Sequence, residues 1–348
     1  MKHFTTRLIN QLRCLGSYAL SIAGVHCVRH LPTFVSIEPA NFCQLACPEC
    51  PVGMRRANPS RTTSEVEPIQ GLVSHKQGLL ALDNYRRIIA QIAPYAHTVQ
   101  LFWQGEPLLN DALPEMVKIA REAGLYTIVS TNAQRLDQPM AEALVQAGLN
   151  RIIVSMDGWT QQTYEQYRQG GDVEKVKQAV RYLSQARDLS PFTFHLSPFT
   201  FHRSPLIELQ CLYLRTNEAE WSILRQEYRR LGADRLTMKT AQLYNYEQGS
   251  PLMPMDARYA RYKWNGKLQR YELKRKMRKR CLRLWSGCVI DVQGDVLPCC
   301  YDKDKHFVLG NIYRQDLRDI WSGDKAAAFR RQLLSARERV PMCCNCDE

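Results

Sequence analysis

The stretch Ser36–Cys50, SIEPANFCQLACPEC, decides the fold of this 348-residue chain. The apolar run Thr33–Ile37 predicts a strand, which ends at Glu38-Pro39 because a residue before proline favours extended backbone over helix. Three cysteines follow with CxxxCxxC spacing, Cys43, Cys47 and Cys50. Three thiolates this close can hold one iron–sulfur cluster, since cysteine is the soft ligand that such clusters need. One iron of a four-iron cluster would then stay open to a small molecule.

Three thiols alone do not decide which metal is bound. The same residues would fit a zinc site that lacks one ligand, or three free cysteines in the core. Of the thirteen cysteines, three lie in residues 43–50 and seven lie after residue 280. Clustered cysteines in a long chain without a clear secretory signal indicate metal binding rather than disulfides. Because thiolates and iron–sulfur clusters need a reducing compartment, we expect a cytoplasmic protein.

The bulk composition is that of a folded globular protein. Hydrophobic residues make up 45% and charged residues 23% of the chain, which is ordinary for this class. The length suffices for one large domain and a smaller one. The net charge of +13 is consistent with an acidic substrate, with nucleic acid or with a solvated basic surface.

Residues 1–32 combine basic residues with an apolar run and superficially resemble a signal peptide. The run Leu15–Val28 is too short to cross a membrane. Apolar side chains recur here at helical spacing, so we expect an amphipathic helix that packs on the core. The residues of its apolar face are Leu8, Leu12, Leu15, Ala19 and Ile22. Contact with a membrane surface is the second interpretation.

From residue 82 onward, helix and strand patterns alternate. Predicted strands are 33–37, 97–103, 126–131, 151–156, 207–214 and 235–239, and predicted helices are 82–93, 111–123, 138–147, 173–187 and 218–231. Such alternation implies parallel strands with helices outside. We therefore expect an α/β fold, with a partial, open βα barrel of about six units over residues 33–240 and a small cysteine-rich C-terminal domain over residues 241–348. In such barrels the chemistry lies at the carboxyl ends of the strands.

The cysteine loop resembles that of the radical S-adenosylmethionine (radical SAM) superfamily. The resemblance implies a 4Fe–4S cluster on Cys43, Cys47 and Cys50, whose open iron binds the amino and carboxylate groups of S-adenosylmethionine (SAM). An electron from the cluster would cleave SAM to a 5′-deoxyadenosyl radical. The superfamily usually places an aromatic residue before the third cysteine, near the adenine, whereas this chain has Glu49. The adenine would then rest on another part of the protein.

Motifs at the next strand ends resemble the SAM-binding positions of this superfamily. WQGEP, at 103–107, resembles its Gly-Gly-Glu motif, in which a flexible glycine and a carboxylate reach the SAM ammonium. STN at 130–132 and SMDG at 155–158 resemble positions that bind the methionine and ribose groups, although these residue types also cap helices. Arg168 resembles an arginine that pairs with the methionine carboxylate, and a surface salt bridge is its other interpretation. The implied SAM pocket consists of Gly105, Glu106, Ser130, Asn132, Ser155, Asp157 and Arg168.

The C-terminal cysteines resemble the SPASM extension of this superfamily, which carries auxiliary iron–sulfur clusters. CVIDVQGDVLPCC, at 288–300, predicts a hairpin that turns at Gln293-Gly294 and brings Cys281 or Cys288 near Cys299. The implied ligands of one auxiliary 4Fe–4S cluster are Cys281, Cys299, Cys343 and Cys346, with Cys288, Cys300 and Cys344 as spare neighbours. A full extension continues with further cysteines, so we expect only one such cluster here. Structural zinc on the same four cysteines is the alternative.

Two segments fall outside these patterns. Residues 53–80 show no period and many prolines, glycines and small polar residues, so we expect a loop beside the cluster. The heptapeptide LSPFTFH occurs twice in tandem, at 189–195 and 196–202. It is too short for a repeat architecture, and we expect a surface loop. Duplication explains the pair of His195 and His202 more simply than a metal site does.

The sequence therefore predicts a radical SAM enzyme that abstracts hydrogen from a substrate. SPASM-bearing relatives mostly modify peptides or proteins, so by analogy we expect a peptide or protein, while a sugar or an RNA nucleotide stays open. The short N-terminal segment leaves no room for a leader-peptide-binding domain. Expected partners are SAM and an electron donor such as flavodoxin or ferredoxin, and no transmembrane segment is expected. The hypothesis from another class is a non-catalytic iron–sulfur protein for electron transfer or binding, which would not need the GEP, STN and SMDG motifs.

Overall fold

A computed structural model describes residues 3–25, 28–57, 78–190, 194–197, 200–275 and 280–346. Its strands are β1 (Phe34–Ile37), β2 (Thr98–Gln100), β3 (Tyr126–Thr131), β4 (Arg151–Ser155), β5 (Phe194–Ser197), β6 (Thr200–Arg203), β7 (Leu206–Tyr213), β8 (Arg235–Thr240), β9 (Tyr262–Asn265), β10 (Arg270–Leu273), β11 (Gly287–Ile290), β12 (Asp295–Leu297) and β13 (Gly310–Asn311). Its α-helices are α1 (Phe4–Ile22), α2 (Pro51–Ala57), α3 (Leu82–Ile92), α4 (Leu113–Glu122), α5 (Gln138–Gln146), α6 (Gln161–Tyr167), α7 (Val173–Leu189), α8 (Trp221–Glu227), α9 (Arg283–Ser286), α10 (Leu317–Ser322), α11 (Asp324–Ala336) and α12 (Pro341–Cys344).

Six parallel strands form the wall of the barrel. They stand side by side in the order β1, β2, β3, β4, β7, β8, which is chain order with helices as crossovers. The helices cover the sheet with apolar faces, and α3 buries Tyr85, Ile88, Ile89 and Ile92, as its spacing predicts. The expected open βα barrel of about six units is confirmed. Because the six strands run the same way, their carboxyl ends share one rim.

The cysteine-rich segment extends the same sheet. β11 pairs in parallel with β1, and β12 and β13 continue the sheet in antiparallel fashion. The predicted hairpin is present between β11 and β12, and it turns at Gly294, whose φ of 84° favours glycine. The sheet therefore runs across the predicted boundary at residue 240 and attaches the C-terminal cysteines to the strand that leads into the cysteine loop.

The N-terminal helix is present as α1, but it faces the other way from our expectation. Leu8, Leu12 and Leu15 are exposed, while the polar side is buried. The buried Arg7 guanidinium donates hydrogen bonds of 2.5 to 3.0 Å to the carbonyls of Ala93, Ala123 and Gly124. These carbonyls follow the last turns of α3 and α4, where backbone acceptors lack helical partners.

Further polar contacts hold this orientation of α1. The Asn10 side chain exchanges two hydrogen bonds of 2.9 Å with the backbone of Leu31. The Ser21 hydroxyl accepts a hydrogen bond from the Trp285 indole at 3.2 Å. The expectation that the leucine face packs on the core is wrong, because the polar face satisfies buried backbone and indole groups instead.

Two segments expected as loops contain regular structure. α2 starts at Pro51, a favoured first helical residue, so helix covers the start of the loop expected over residues 53–80, and residues 58–77 lie outside the described part. The described parts of the duplicated heptapeptide contain the antiparallel strands β5 and β6 instead of irregular structure, because Phe and Thr residues favour strand. The side chains of His195 and His202 are not among those described.

The helix α6 was not predicted from the sequence. The hydroxyl of its N-cap residue Thr160 accepts a hydrogen bond from the Thr163 N–H at 3.4 Å.

Candidate active site

The cysteine loop follows β1 at the carboxyl rim of the barrel. The Cys43 sulfur accepts hydrogen bonds from the Leu45 N–H at 3.4 Å and from the Asn132 side-chain amide at 3.3 Å. The Arg168 guanidinium lies 4.0 Å from the Cys47 sulfur. Burial raises the pKa of the Cys43 thiol to about 12 and also raises the pKa of Cys47. Hydrogen-bond donors beside the Cys43 and Cys47 sulfurs stabilise thiolates that bind an iron–sulfur cluster. Burial alone would keep these thiols protonated, and a bound metal would replace their protons.

Gly105 packs directly against the cysteine loop. A Cβ at this position would lie 2.8 Å from the Phe42 nitrogen and closer still to the Ala40 carbonyl oxygen. The next residue, Glu106, donates its N–H to the Phe42 carbonyl at 2.9 Å. Close approach of two backbones is the reason for glycine here, and not the conformational freedom that we expected.

Glu38 holds the turn at Gln104-Gly105 through hydrogen bonds, and the sequence alone did not indicate this role. Its Oε1 accepts hydrogen bonds from the N–H groups of Gln104 at 3.3 Å and Gly105 at 3.4 Å. Burial, with a second contribution from Asp291, raises the pKa of the Glu38 carboxyl to about 8. A carboxylate at the last position before Pro39 and the cysteine loop was the available signal.

The Glu106 side chain is buried and joins the ends of β2 and β3. Its Oε1 accepts from the Thr131 hydroxyl at 2.5 Å and the Leu108 N–H at 3.1 Å, and its Oε2 accepts from the Asn132 N–H at 2.8 Å. Burial raises the pKa of Glu106 against the opposing effect of these bonds. The visible role of Glu106 is to position the STN motif, and its contact with the SAM ammonium stays a prediction.

The polar ends of β3 and β4 meet at this rim. Asn132 contacts the cysteine loop twice, through Cys43 and through its Oδ1, which accepts from the Gln44 side chain at 3.1 Å. Ser130 and Ser155 lie at the carboxyl ends of β3 and β4, which pair in parallel. The structure thus places all three predicted residues at the carboxyl rim, and Asn132 is the one that contacts the cysteine loop.

Asp157 and Arg168 form a buried ion pair. The Asp157 Oδ2 lies 2.5 Å from the Arg168 Nε, and its Oδ1 accepts from the Leu212 N–H at 2.6 Å. Asp157 is fully buried, so the alternative of a surface salt bridge for Arg168 is wrong. The pairing of Arg168 with a methionine carboxylate stays a prediction.

Four C-terminal cysteines line one small enclosed cavity. They are Cys281, Cys299, Cys343 and Cys346, the set implied by the sequence. The Arg337 guanidinium donates to the Cys346 sulfur at 3.5 Å. Burial raises the pKa of the Cys343 thiol to about 11. Four cysteines around one cavity, with a cationic donor at Cys346, are the residue types that a closed iron–sulfur cluster needs.

The three spare cysteines do not line this cavity. Cys288 is buried in β11, and burial raises its pKa to about 12. The Cys300 sulfur accepts from the Arg283 guanidinium at 3.3 Å. Cys344 is exposed on α12. Cys300 and Cys344 directly follow cavity cysteines in the sequence, but none of the three spare cysteines is part of the cavity lining.

Two family models match the chain, and each matched range contains one group of cysteines. The model of the radical SAM superfamily matches residues 37–196, and the SPASM model, described as an iron–sulfur cluster-binding domain, matches residues 281–347. The chain belongs to the radical SAM superfamily. The predicted cofactors of its two cysteine-bearing parts, 4Fe–4S clusters and SAM, are confirmed by this membership.

Two known relatives and one solved structure match more than nine-tenths of this radical SAM enzyme at low identity. The AdoMet-dependent heme synthase of Methanosarcina barkeri is 24% identical over 91% of this chain and 88% of its own. The PqqA peptide cyclase of Bradyrhizobium diazoefficiens is 25% identical over 91% of this chain and 79% of its own. The structure of Streptococcus suis SuiB bound to its precursor peptide SuiA aligns with a TM-score of 0.60 at 14% identity, over 98% of this chain and 75% of that chain, which shows a shared fold.

A basic cavity of about 850 Å³ adjoins the cysteine loop of this radical SAM enzyme. Its lining includes Glu49 and Tyr167, next to Cys50 and Arg168, and six basic side chains, Lys239, Arg258, Arg261, Lys274, Arg275 and Lys303. Arg258 pairs with Asp256 at 2.7 Å. Glu49, which stands where an aromatic residue is usual, accepts from the Tyr244 N–H at 2.8 Å and so connects the cysteine loop to the C-terminal part.

The GEP turn makes a second connection to the C-terminal part. The Trp103 indole donates to the Cys300 carbonyl at 3.1 Å, and the Gln104 side-chain amide donates to the Lys303 carbonyl at 2.6 Å. The Lys303 ammonium lies 4.7 Å from the centre of the Tyr244 ring.

None of the helices in the described ranges combines the length and apolar character that a bilayer span requires.

Proposed function

We propose that this radical SAM enzyme abstracts a hydrogen atom from a peptide or protein. When bound, the 4Fe–4S cluster supplies the electron that cleaves SAM to a 5′-deoxyadenosyl radical. The observation that carries this proposal is the convergence of Cys43, Cys47, Asn132 and Arg168 at the barrel rim. A peptide or protein substrate is supported by the similarity to PqqA peptide cyclase and to SuiB in complex with a precursor peptide.

The residues around the cysteine loop divide into two groups in this proposal. Cys43, Cys47 and Cys50 hold the catalytic cluster, and the SAM pocket consists of Gly105, Glu106, Ser130, Asn132, Ser155, Asp157 and Arg168. Glu106 and Asp157 act as positioning residues, because their oxygens already accept N–H and O–H groups of the protein. They fix the strand ends relative to one another and so hold the pocket in shape.

One auxiliary 4Fe–4S cluster is bound by Cys281, Cys299, Cys343 and Cys346 in this proposal. The shared cavity of these four cysteines supports the assignment, and four thiolates leave no open iron. The chain is then organised as an N-terminal segment over residues 1–32 that contains α1, a radical SAM core over 33–240 and a SPASM-like part over 241–348. The auxiliary cluster transfers electrons to or from the site, or braces the fold.

The basic cavity is the substrate site in this proposal. It adjoins both the cysteine loop and the C-terminal part, and its volume lies in the range of ligand sites. The lining carries six basic side chains and the carboxylate of Glu49. This excess of positive charge favours a substrate segment that carries carboxylate or phosphate groups. An acidic peptide segment fits both the volume and the positive charge of this cavity. The electron donor is a low-potential protein such as flavodoxin or ferredoxin, and the compartment is the cytoplasm.

The substrate class is tested with cell extract and the reconstituted enzyme under anaerobic conditions. We expect extract to stimulate 5′-deoxyadenosine formation and protease treatment of the extract to remove the stimulation. The cavity variant Lys239→Glu/Arg275→Glu should respond less, whereas Lys118→Glu/Lys267→Glu, which changes exposed lysines elsewhere, should respond as the wild type does. Stimulation that survives protease but is lost with ribonuclease, or that remains in the small-molecule fraction, would replace the peptide by an RNA nucleotide or a sugar.

A further inference from the structure

The outward side of α1 forms a contiguous apolar surface. We define it as Phe4, Leu8, Ile9, Leu12, Leu15 and Leu20, whose side chains are 44% to 65% exposed. These residues occupy one side of the helix, opposite the buried Arg7, Asn10, Cys14, Ser17 and Ser21. Single exposed apolar residues are ordinary, but a row along one helix marks a surface that meets a partner.

The helix cannot turn this surface toward the core. Rotation would withdraw the Arg7 guanidinium from the carbonyls of Ala93, Ala123 and Gly124. It would also break the paired hydrogen bonds between Asn10 and Leu31. Because the Arg7 and Asn10 side chains are buried, the loss of these partners would cost free energy. The apolar surface is therefore a fixed feature of the folded protein.

The charged residues of the N-terminal segment have one sign. Residues 1–37 contain Lys2, Arg7, Arg13 and Arg29 and no aspartate or glutamate. Arg13 is exposed on α1 beside the apolar surface, and Arg29 is exposed just after it. An apolar helix face bordered by arginine is the pattern of a helix that lies in the plane of an anionic membrane surface.

We propose that α1 binds the surface of an anionic lipid bilayer. The apolar surface enters the boundary between headgroups and acyl chains, and Arg13 stays at the level of the phosphates. Two copies of this protein would bring like charges together if they paired through α1, so a second copy fits the surface less well. The 19-residue helix thus lies on the membrane with the barrel on its aqueous side.

Vesicle sedimentation with the reconstituted full chain tests this proposal. The probes are vesicles of phosphatidylcholine mixed with phosphatidylglycerol, and vesicles of phosphatidylcholine alone. We expect binding to the mixed vesicles, with a loss of about tenfold or more in Leu8→Gln/Leu12→Gln, because two exposed leucines no longer enter the bilayer. The matched control is Leu189→Gln/Leu268→Gln, which changes two exposed leucines elsewhere and should bind as the wild type does.

Three results would overturn the proposal. The first is no sedimentation with either vesicle, and the second is equal binding to both vesicles, which would remove the role of anionic lipid. The third is a wild-type dimer in light scattering that Leu8→Gln/Leu12→Gln makes monomeric, without vesicle binding, which would assign the surface to a second copy. Iron content and SAM cleavage of the variant show that the fold is intact, and they do not depend on the membrane.

Discussion

The side-chain amide of Asn132 donates a hydrogen bond to the sulfur of Cys43 at 3.3 Å. This contact joins the end of β3 to the first cysteine of the loop, 89 residues away in sequence. Hydrogen bonds to ligand sulfur stabilise the negative charge of a reduced iron–sulfur cluster. Asn132 therefore has two functions in our account, in the SAM pocket and in the electronic environment of the cluster.

Removal of this amide should make the cluster harder to reduce. In Asn132→Ala we expect the reduction potential of the cluster on Cys43, Cys47 and Cys50 to fall by roughly tens of millivolts, because the reduced cluster loses a hydrogen-bond donor to its ligand sulfur. An anaerobic redox titration followed by electron paramagnetic resonance measures this shift. Asn245→Ala, at an exposed position, serves as the control, and an unchanged potential in Asn132→Ala would show that the contact does not act on the cluster.

A methyl group at Gly105 should disturb the cysteine loop. The added Cβ would meet the Ala40 and Phe42 backbones, and overpacking of this kind costs about 1 to 3 kcal/mol. We expect Gly105→Ala to bind less iron at the radical SAM site and to cleave SAM about tenfold more slowly or worse. Gly266→Ala, where the nearest atom lies 4.0 Å from the new Cβ, should leave both unchanged. Full iron content and normal cleavage in Gly105→Ala would contradict the close packing.

Iron analysis of single serine variants tests the auxiliary ligand set. Replacement of Cys281, Cys299, Cys343 or Cys346 should lower the iron content from about eight to about four atoms per chain. Cys288→Ser, Cys300→Ser and Cys344→Ser should retain the wild-type content, because these side chains lie outside the shared cavity. One zinc atom with about four irons in the wild type would assign the C-terminal site to structural zinc instead.

Glu38 should make stability depend on pH. Burial and Asp291 raise its folded-state pKa from 4.5 to about 8, so the protonated form is favoured on folding. This contribution is complete below pH 4.5 and is lost as pH rises through about 8. We expect the wild-type melting temperature to fall between pH 5 and pH 8 by roughly a few degrees more than that of Glu38→Gln.

The control for Glu38 is Glu165→Gln, which removes an exposed carboxylate and should follow the wild-type pH profile. The measurement is the difference in melting temperature between wild type and variant at each pH, so that other titrating groups cancel. Identical profiles for wild type and Glu38→Gln would mean that Glu38 is charged in the folded protein.

Local patterns in the sequence predict most of the barrel. β3 occupies residues 126–131, as expected, because aromatic and β-branched residues, which favour strand, dominate this segment. The order of the cysteine loop and strand-end motifs places the candidate site correctly at one rim, since parallel strands bring their carboxyl ends together. The four C-terminal cysteines meet in one cavity because the β11–β12 hairpin folds back as its Gly294 turn predicts.

The features that the sequence did not predict depend on distant contacts. Helical spacing shows that α1 has an apolar face, but the partners of Arg7 lie 86 or more residues away and determine which face is buried. The support that Glu38 gives to Gly105 spans 67 residues. Periodicity does not contain such information, because it reports the local geometry of one element and not its neighbours.

Anaerobic cleavage of SAM shows whether the protein generates the 5′-deoxyadenosyl radical. The reconstituted protein is reduced with dithionite in the presence of SAM, and 5′-deoxyadenosine is quantified beside the iron content. We predict formation in the wild type and none in Cys43→Ala/Cys47→Ala/Cys50→Ala, whose iron content should fall from about eight to about four. No 5′-deoxyadenosine from a wild-type protein with both clusters fully loaded would contradict the account and favour a non-catalytic iron–sulfur protein.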